Sequence, residues 1–353
     1  MFIFLRIIGI LFFPLVCLYT LIIYLRNKFY DRGWFKSYSV DAPVISVDNI
    51  QLGGTGKTPL VEYISRMLME NGKSVAILSR GYRRKGKAGI IVEDDPKLEI
   101  TPDMIGDEPY LLKQNLPGVI LGVDASRLRM ARKILKRRRD VIFVLDDGFQ
   151  HRRLRRDLDI VLIDVSRWSA LPFLFPITYF RDVKYSLKRA SCFVLNEQSE
   201  DKHKNTKLKE FLLDKYNRPI FHSSIITQYL VSLVDEIVIK IEDFPDKNIF
   251  AFAGIGTPVN FFMTLKNLGF NILGKKNFPD HHQYNLKDLE LIEKSAKNCN
   301  AATCITTQKD AVKIKGLLKN QKYTPPIRFY YLRTEVIILE KTEFFNLLKT
   351  ISD

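Results

Sequence analysis

At 353 residues, with 46% apolar and 27% charged side chains, the chain is long enough for two domains and apolar enough to bury a core, which excludes a disordered or low-complexity protein. Its 55 Lys and Arg outnumber 39 Asp and Glu, and the resulting +16 charge favours acidic partners: nucleic acid, anionic lipid or a phosphorylated substrate. Cys17, Cys192, Cys299 and Cys304 form no CxxC and no Cys/His ligand spacing, so neither a disulfide framework nor a structural zinc is expected.

The first element is apolar. Ile7 to Tyr24 carries no charge, and as a helix it would reach about 27 Å, close to the roughly 30 Å of a bilayer's hydrocarbon. A cleaved signal peptide is not expected, because the segment runs straight into "LRNKFYDRG" without a small-residue cleavage site. Two arrangements stay open, a spanning helix or one half-buried in a single leaflet, the latter compatible with Arg6, Pro14 and the aromatic residues of the segment. Arg26, Lys28 and Arg32 place the remainder on the cytoplasmic side, where ATP is available. Residues 1–28 are therefore expected to form a membrane-associated helix.

Strand, loop and helix then alternate. "APVISVDNI" reads as a strand, "QLGGTGKT" as a loop and "PLVEYISRMLMENG" as a helix ended by Gly72. "SVAILSRGY" is a second strand, "DEPYLLKQNL" a helix, "GVILGV" strand-like, and "SRLRMARKILKRRR" a basic amphipathic helix. "DVIFVLDDG" and "LDIVLIDVS" are continuous apolar runs of the kind found in buried parallel strands. The fold class predicted is α/β: a P-loop NTPase-like parallel sheet with helices on both faces over residues 29–219, with its ligand at the carboxyl ends of the strands. Residues 220–242 read as an extended connector. "NIFAFAGIGTPVNFFMTLKNLG" restarts a strand–loop–helix unit and "AATCITTQKDAVKI" supplies another strand, in a second, smaller α/β domain over 243–353.

Four stretches carry chemistry. In the loop, Gly53, Gly54 and Gly56, with Thr55 among them, let backbone N–H groups face a phosphate, Lys57 can reach the β- and γ-phosphates, and the Thr58 hydroxyl can ligate Mg²⁺. The usual spacing asks for a glycine where Gln51 stands. "VIFVLDDGFQH" ends a strand in Asp146 and Asp147, the layout that sets carboxylates beside a nucleotide's magnesium, although a strand-end carboxylate also serves as a helix cap or turn former. His151 is close enough in sequence to join them. Asp107 and Glu108 of "GDEPYLL" read either as acids in a first helical turn or as a general base at a loop-to-helix junction. "FPDHHQY" supplies His281 and His282, which lack the partners for a metal site and could instead meet the phosphate loop on closure of the two domains. The runs "RRKGK", "RKILKRRR" and "RRLRR" have no interleaved aromatics, so solvated or phosphate-facing surface is expected and nucleic acid is not.

Among P-loop trades, a GTPase lacks its N-K-x-D here, and a membrane-positioning ATPase usually has a lysine where Leu52 precedes the paired glycines. A small-molecule or lipid kinase needs the loop, Mg²⁺ ligands, a base and a second lobe, and all four are offered. The ordered set "GGTGKTP", "LSRGY", "GDEP", "LDDGFQH", "DHH" and "TQKDAVK" closely resembles the tetraacyldisaccharide 4′-kinases of lipid A assembly, over nearly the whole chain to about residue 314. The family usually has a glycine where this chain has Asp48.

The resemblance implies an ATP- and Mg²⁺-dependent kinase of the inner membrane's cytoplasmic face. It would phosphorylate the 4′-hydroxyl of a tetraacylated disaccharide 1-phosphate to give lipid IVA, in a two-lobed fold joined by a two-stranded linker. It further implies that Lys57 grips the phosphates and that Thr58, Asp146 and Asp147 hold Mg²⁺. Asp107 would be the catalytic carboxylate, tuned by His281. Glu108, His151 and His282 would be supporting residues, and Arg80 and Arg127 phosphate or acceptor contacts. The alternative expectation is a membrane-bound P-loop ATPase that spends hydrolysis on conformational work.

Overall fold

A computed structural model of the chain describes residues 11–82, 84–86, 88–94, 100–196, 202–321 and 325–352. The expectations placed on residues 1–10, Arg6 included, and on positions 83 and 87 of the first basic run lie outside that set.

After a helix α1 (Phe13–Asp31), the first half of the chain builds β1 (Val44–Asn49), α2 (Lys57–Glu70), β2 (Val75–Ser79), β3 (Ile90–Val92), α3 (Pro102–Ile105), α4 (Asp107–Asn115), β4 (Ile120–Val123), α5 (Arg127–Leu135), β5 (Ile142–Asp146), β6 (Leu158–Asp164), β7 (Cys192–Asn196) and α6 (Lys202–Tyr216). The second half adds β8 (Ile220–Ser232), β9 (Val238–Lys240), β10 (Asn248–Ala253), α7 (Pro258–Asn267), β11 (Asn271–Asn277), α8 (Leu286–Asn298), β12 (Thr303–Thr307), α9 (Gln308–Gln321), β13 (Arg328–Ile338) and α10 (Lys341–Ser352).

All 13 described strands join one sheet, ordered β11-β10-β12-β13-β8-β7-β6-β1-β5-β2-β4-β3, with β9 paired to β8. From β8 through β4 the pairings are parallel, and the strands β1, β2, β4, β5, β6 and β7 are buried along their whole length. Their Val, Ile and Leu runs cover both faces, as strands sandwiched between helix layers must. The sheet differs from an all-parallel expectation at three places: β3 runs antiparallel at the edge, β9 runs antiparallel to β8, and β8 meets β13 antiparallel from Ser232 opposite Tyr330 to Ser223 opposite Ile338. The connector thus forms strands rather than loose extended chain. With β13 it makes a two-stranded ribbon in which β8 pairs with β7 of the first lobe and β13 pairs with β12 of the second.

Helix α2 buries Leu60, Val61, Ile64, Met67 and Leu68, the one-sided spacing of an amphipathic helix, and Gly72 at φ +77° turns the chain out of it. The core beneath also holds Phe344 and Leu348 of α10, both fully buried against the first lobe's residues. The second lobe has its own cores on either face of its strands, around Phe252 and Leu289 on one side and Ala251 and Leu265 on the other.

Helix α1 differs from the expected anchor. Among the described residues no helix is long and apolar enough to cross a membrane. The physical reason lies in its last turns: Asn27 is 1% exposed and donates to Asp182 at 2.8 Å, while Arg152 donates to the Asn27 carbonyl at 2.7 Å and pairs with Asp31 at 2.8 Å. Ile23 and Tyr24 pack on the core around Leu174 and Phe180. One side of the helix therefore belongs to the body of the protein. The other presents Leu11, Leu15, Leu18, Ile22 and Leu25, all exposed and spaced by alternate fours and threes, a continuous stripe on one face.

Candidate active site

The loop after β1 is held from below by side chains. Gln51, where a phosphate loop usually has glycine, is fully buried; its amide donates to the Asp164 carbonyl at 2.9 Å and accepts from the Asp164 N–H at 2.8 Å. It staples the end of β1 to the end of β6, and no glycine could do so. Asn49 donates to the Thr55 hydroxyl, and Asn196 to the Thr55 carbonyl at 3.4 Å. Gly53 at φ +104° lies so close to the Arg167 guanidinium that a Cβ would overlap it, and Gly56 at φ +91° caps α2 in a left-handed turn; both positions need glycine. Gly54 faces open space. Lys57 and Thr58, half-buried, open the helix, so its unpaired N–H groups and the lysine face the same opening.

Beside the loop, β5 delivers the aspartates, because Val47 of β1 pairs with Asp146 in register. Asp146 accepts from the Ser79 hydroxyl at 3.3 Å; burial, reinforced by the charges of Asp147 and Glu108, raises its pKa to about 6. Asp147 takes a left-handed φ of +60°, a conformation that costs a non-glycine residue of order 1–3 kcal/mol. It is held by Arg181 at 2.7 Å and by Lys57 at 3.5 Å. Burial opposes its ionisation, but Arg181 and Lys57 outweigh burial and keep the carboxyl well below its ordinary value. The same Arg181 Nη2 also pairs with Asp48, which is fully buried and accepts from the Phe149 N–H at 2.8 Å. Asp48 is thus a buried anchor for Arg181; burial pushes its pKa up to about 7 against the pull of the guanidinium.

The supporting residues divide. Arg127, 4% exposed, donates to the Asp146 carbonyl at 3.5 Å, and its Nε is a buried donor with no partner among the described residues; burial lowers its pKa. Arg80 is exposed and near enough for its charge to lower Arg127's pKa further. His151 has a buried Nε2 without a partner among the described residues, and burial plus the surrounding Arg127, Arg156, Arg153 and Arg26 depress its pKa to about 4, so it is neutral at physiological pH. Arg26 of α1 reaches this same segment, donating to the Gln150 carbonyl at 2.7 Å.

The two lobes meet at "GDEP". Asp107 at the start of α4 lies 3.4 Å from His281 Nδ1, and Glu108 lies 2.6 Å from Lys309 Nζ. His281 has φ +60° and is kept there by its N–H donating to the Gly254 carbonyl at 3.0 Å. His282 is turned elsewhere: its Nε2 is 3.0 Å from Asp288, and its ring stacks on Phe278 at 4.6 Å. The structure therefore brings together Lys57, Asp146 and Asp147 on one side and Asp107 with His281 on the other. Glu108, whose charge reaches Asp146, joins the two groups. His282 stays apart from Asp107.

Sequence reasoning missed Arg181, Lys309 and Lys313. A single arginine in "FRDV" offers no pattern to find. The two lysines did leave a signal, since a spacing of four puts them on one face of the helix Gln308–Gln321, where a continuing strand was expected.

Comparison with known proteins agrees with this arrangement. A family model described as tetraacyldisaccharide-1-P 4′-kinase matches residues 8–352. A tetraacyldisaccharide 4′-kinase of Syntrophus aciditrophicus is 37% identical over 312 residues, spanning 85% of this chain and 83% of the relative. One of Flavobacterium johnsoniae is 35% identical over 326 residues, spanning 91% and 92%. Among solved structures, a crystal structure of LpxK from Aquifex aeolicus in complex with ATP superposes with a TM-score of 0.78 at 30% identity, covering 99% of this chain and all of that one.

Proposed function

The chain belongs to the tetraacyldisaccharide-1-P 4′-kinase family, and from that premise we propose how its own residues carry out the reaction. The activity is transfer of the ATP γ-phosphate to the 4′-hydroxyl of a tetraacyldisaccharide 1-phosphate, giving lipid IVA in lipid A biosynthesis.

In our reading the triphosphate lies on Gly53, Gly54, Thr55 and Gly56, with Lys57 along its β- and γ-phosphates. The donors offered by Thr58, Asp146 and Asp147 are hard oxygens beside an anion loop, which suits Mg²⁺, an ion that keeps few protein ligands and fills its shell with phosphate and water. When bound, the ion supplies charge neutralisation to the phosphates. Asp107 accepts the proton of the 4′-hydroxyl as its oxygen bonds to the γ-phosphorus; the bond to the β–γ bridging oxygen breaks, and ADP leaves. His281 orients Asp107. Most of the acceleration comes from positioning and charge around the moving phosphoryl group rather than from the base.

The observation that carries this reading is the Asp107–His281 contact at 3.4 Å, made by side chains 174 positions apart in sequence across the two lobes. We take the lobe division to fall at residues 220–242, where β8 begins the connecting ribbon.

We further propose attachment to the cytoplasmic face of the inner membrane through α1 lying along the bilayer. Its exposed stripe from Leu11 to Leu25 continues into exposed Trp34 and Phe35, with Lys28, Arg32 and Lys36 beside it for anionic headgroups. An acyl-chained acceptor that stays in the bilayer would be met there.

The test is incubation of the purified protein with γ-labelled ATP and the tetraacyldisaccharide 1-phosphate. Label is expected in a chloroform-soluble product, and Asp107→Asn is expected to lose that product while retaining nucleotide binding. Release of free phosphate alone would overturn the reading in favour of an ATPase.

A further inference from the structure

The motif "TQKDAVK" has so far carried no role, yet it forms the end of β12 and the first turns of α9, the helix that faces α4. Lys309 and Lys313 share one side of it. Lys309 Nζ lies 2.6 Å from Glu108, and Lys313 Nζ lies 3.2 Å from Asp107 Oδ2 while donating to the His282 carbonyl at 3.1 Å. The Lys313 side chain is 5% exposed, so the ammonium is nearly desolvated. Between the two lysines, Asp310 turns inward. It accepts from the Gly254 N–H at 2.9 Å and the Thr307 hydroxyl at 2.7 Å, which fixes the turn whose carbonyl holds His281.

Both contacts on Asp107 converge on one oxygen. The contacts of His281 Nδ1, at 3.4 Å, and Lys313 Nζ, at 3.2 Å, both fall on Oδ2. A carboxylate gripped in this way keeps lone pairs for an incoming hydroxyl. We propose that Lys313 is a positioning residue for the phosphoryl transfer: its ammonium, supplied by the second lobe, holds the Asp107 carboxylate through Oδ2 and ties the His281 turn to it. The proposal rests on Asp107 as the catalytic carboxylate.

Electrostatics supports the geometry. Burial works to raise the Asp107 pKa, and the His281 hydrogen bond together with the Lys313 charge more than offsets it, leaving the carboxyl below its ordinary value. The charged and titratable groups around Asp107 are His281 from the turn, Lys313 and Lys309 from α9, Glu108 on its own helix, Asp280 at 4.0 Å behind His281, and Tyr82, whose ring meets that of His281 at 5.9 Å. Lys313 alone among them is a nearly buried cation in contact with Asp107. Its loss should therefore be felt directly as proton affinity.

The experiment compares the full-length parent with Lys313→Met and Lys313→Arg. It uses protein labelled at the aspartate carboxyl carbon, with the Asp107 resonance assigned through Asp107→Asn. In Lys313→Met the Asp107 titration and the acidic limb of the kcat/KM profile should both move up by about one pH unit or more. At neutral pH kcat should fall about tenfold or more while the KM for ATP holds within about twofold, because the ammonium acts on the base and not on the nucleotide. Lys313→Arg should restore both readouts. Should Lys313→Met not fold, Lys313→Gln makes the same comparison. An Asp107 titration unchanged by loss of the ammonium overturns the proposal and leaves the Asp107 reading standing, provided Asp107→Asn is inactive. An active Asp107→Asn overturns both.

Discussion

Lys57 stands 3.5 Å from Asp147, so the lysine that would grip a triphosphate already rests against a carboxylate that would hold its magnesium. The pair keeps each side chain aimed at the same opening before any ligand arrives, and the ordering cost is met by the fold. Lys57→Ala removes the phosphate contact and one of the two cations on Asp147. ATP affinity measured with a fluorescent analogue should fall by about tenfold or more, as expected for loss of a charge-assisted contact of roughly 1.5–3 kcal/mol. Affinity within twofold of the parent would remove Lys57 from the nucleotide's phosphates.

Arg181 tells the opposite story, since its importance lies underneath the site. Its guanidinium joins Asp48, fully buried, to Asp147. Arg181→Met leaves the Asp48 carboxyl, which burial already pushes up to a pKa of about 7, without its partner in the interior, and an unpaired buried polar group typically costs about 1–3 kcal/mol. The thermal midpoint should drop by several degrees. The double variant Asp48→Gly, Arg181→Met should recover much of that loss, because the unpaired carboxyl is gone. Equal midpoints for single and double variants would show that Asp48 is not what Arg181 stabilises.

His151 gives the fold an acid sensitivity of definite sign. Its folded pKa of about 4 lies below the ordinary 6.5, so as pH falls through 6.5 the unfolded chain takes up a proton that the native histidine refuses. Stability linked to this residue is complete above pH 6.5, declines from there to about pH 4, and levels off below. Midpoint against pH for His151→Gln should accordingly fall less steeply than for the parent between those limits. Parallel curves would mean that the ring charges as readily in the native state as in the unfolded chain.

Helix α1 is tested by its outward stripe. Replacing Leu15, Leu18 and Ile22 with serine leaves Val16, Tyr24 and Asn27 in place on the protein side, so folding should be retained. Flotation with vesicles containing anionic lipid should weaken by about tenfold or more, given roughly 1.5–3 kcal/mol for burying each such side chain. Flotation equal to the parent would assign membrane attachment to another surface.

How much could be read from the chain depended on the range of the determining interaction. The strands "VISVDN" and "IFVLD", the loop between Gly53 and Thr58 and the helix behind it are written locally, in apolar runs and glycine placement, and they formed where expected. The pairing of β8 with β13 was not legible, because a partner about a hundred residues away sets it and neither strand names the other. Gln51 looked like a defect in the motif, yet its two hydrogen bonds to Asp164 explain why an amide occupies that position. How the anchor's inner side is used was hidden for a similar reason. Hydropathy reports how greasy a segment is, and it cannot reveal that Arg152 and Asp182 from elsewhere in the chain grip Asn27.

Helix α10 has a consequence for how the molecule is made. Phe344 and Leu348 complete the hydrophobic interior beneath α2 and its neighbours, although they leave the ribosome after almost everything else. The nucleotide lobe is thus begun first during synthesis and sealed last. Until the closing helix docks, a nascent chain would hold an open greasy face under its ATP loop, which is when chaperones would have most to grasp.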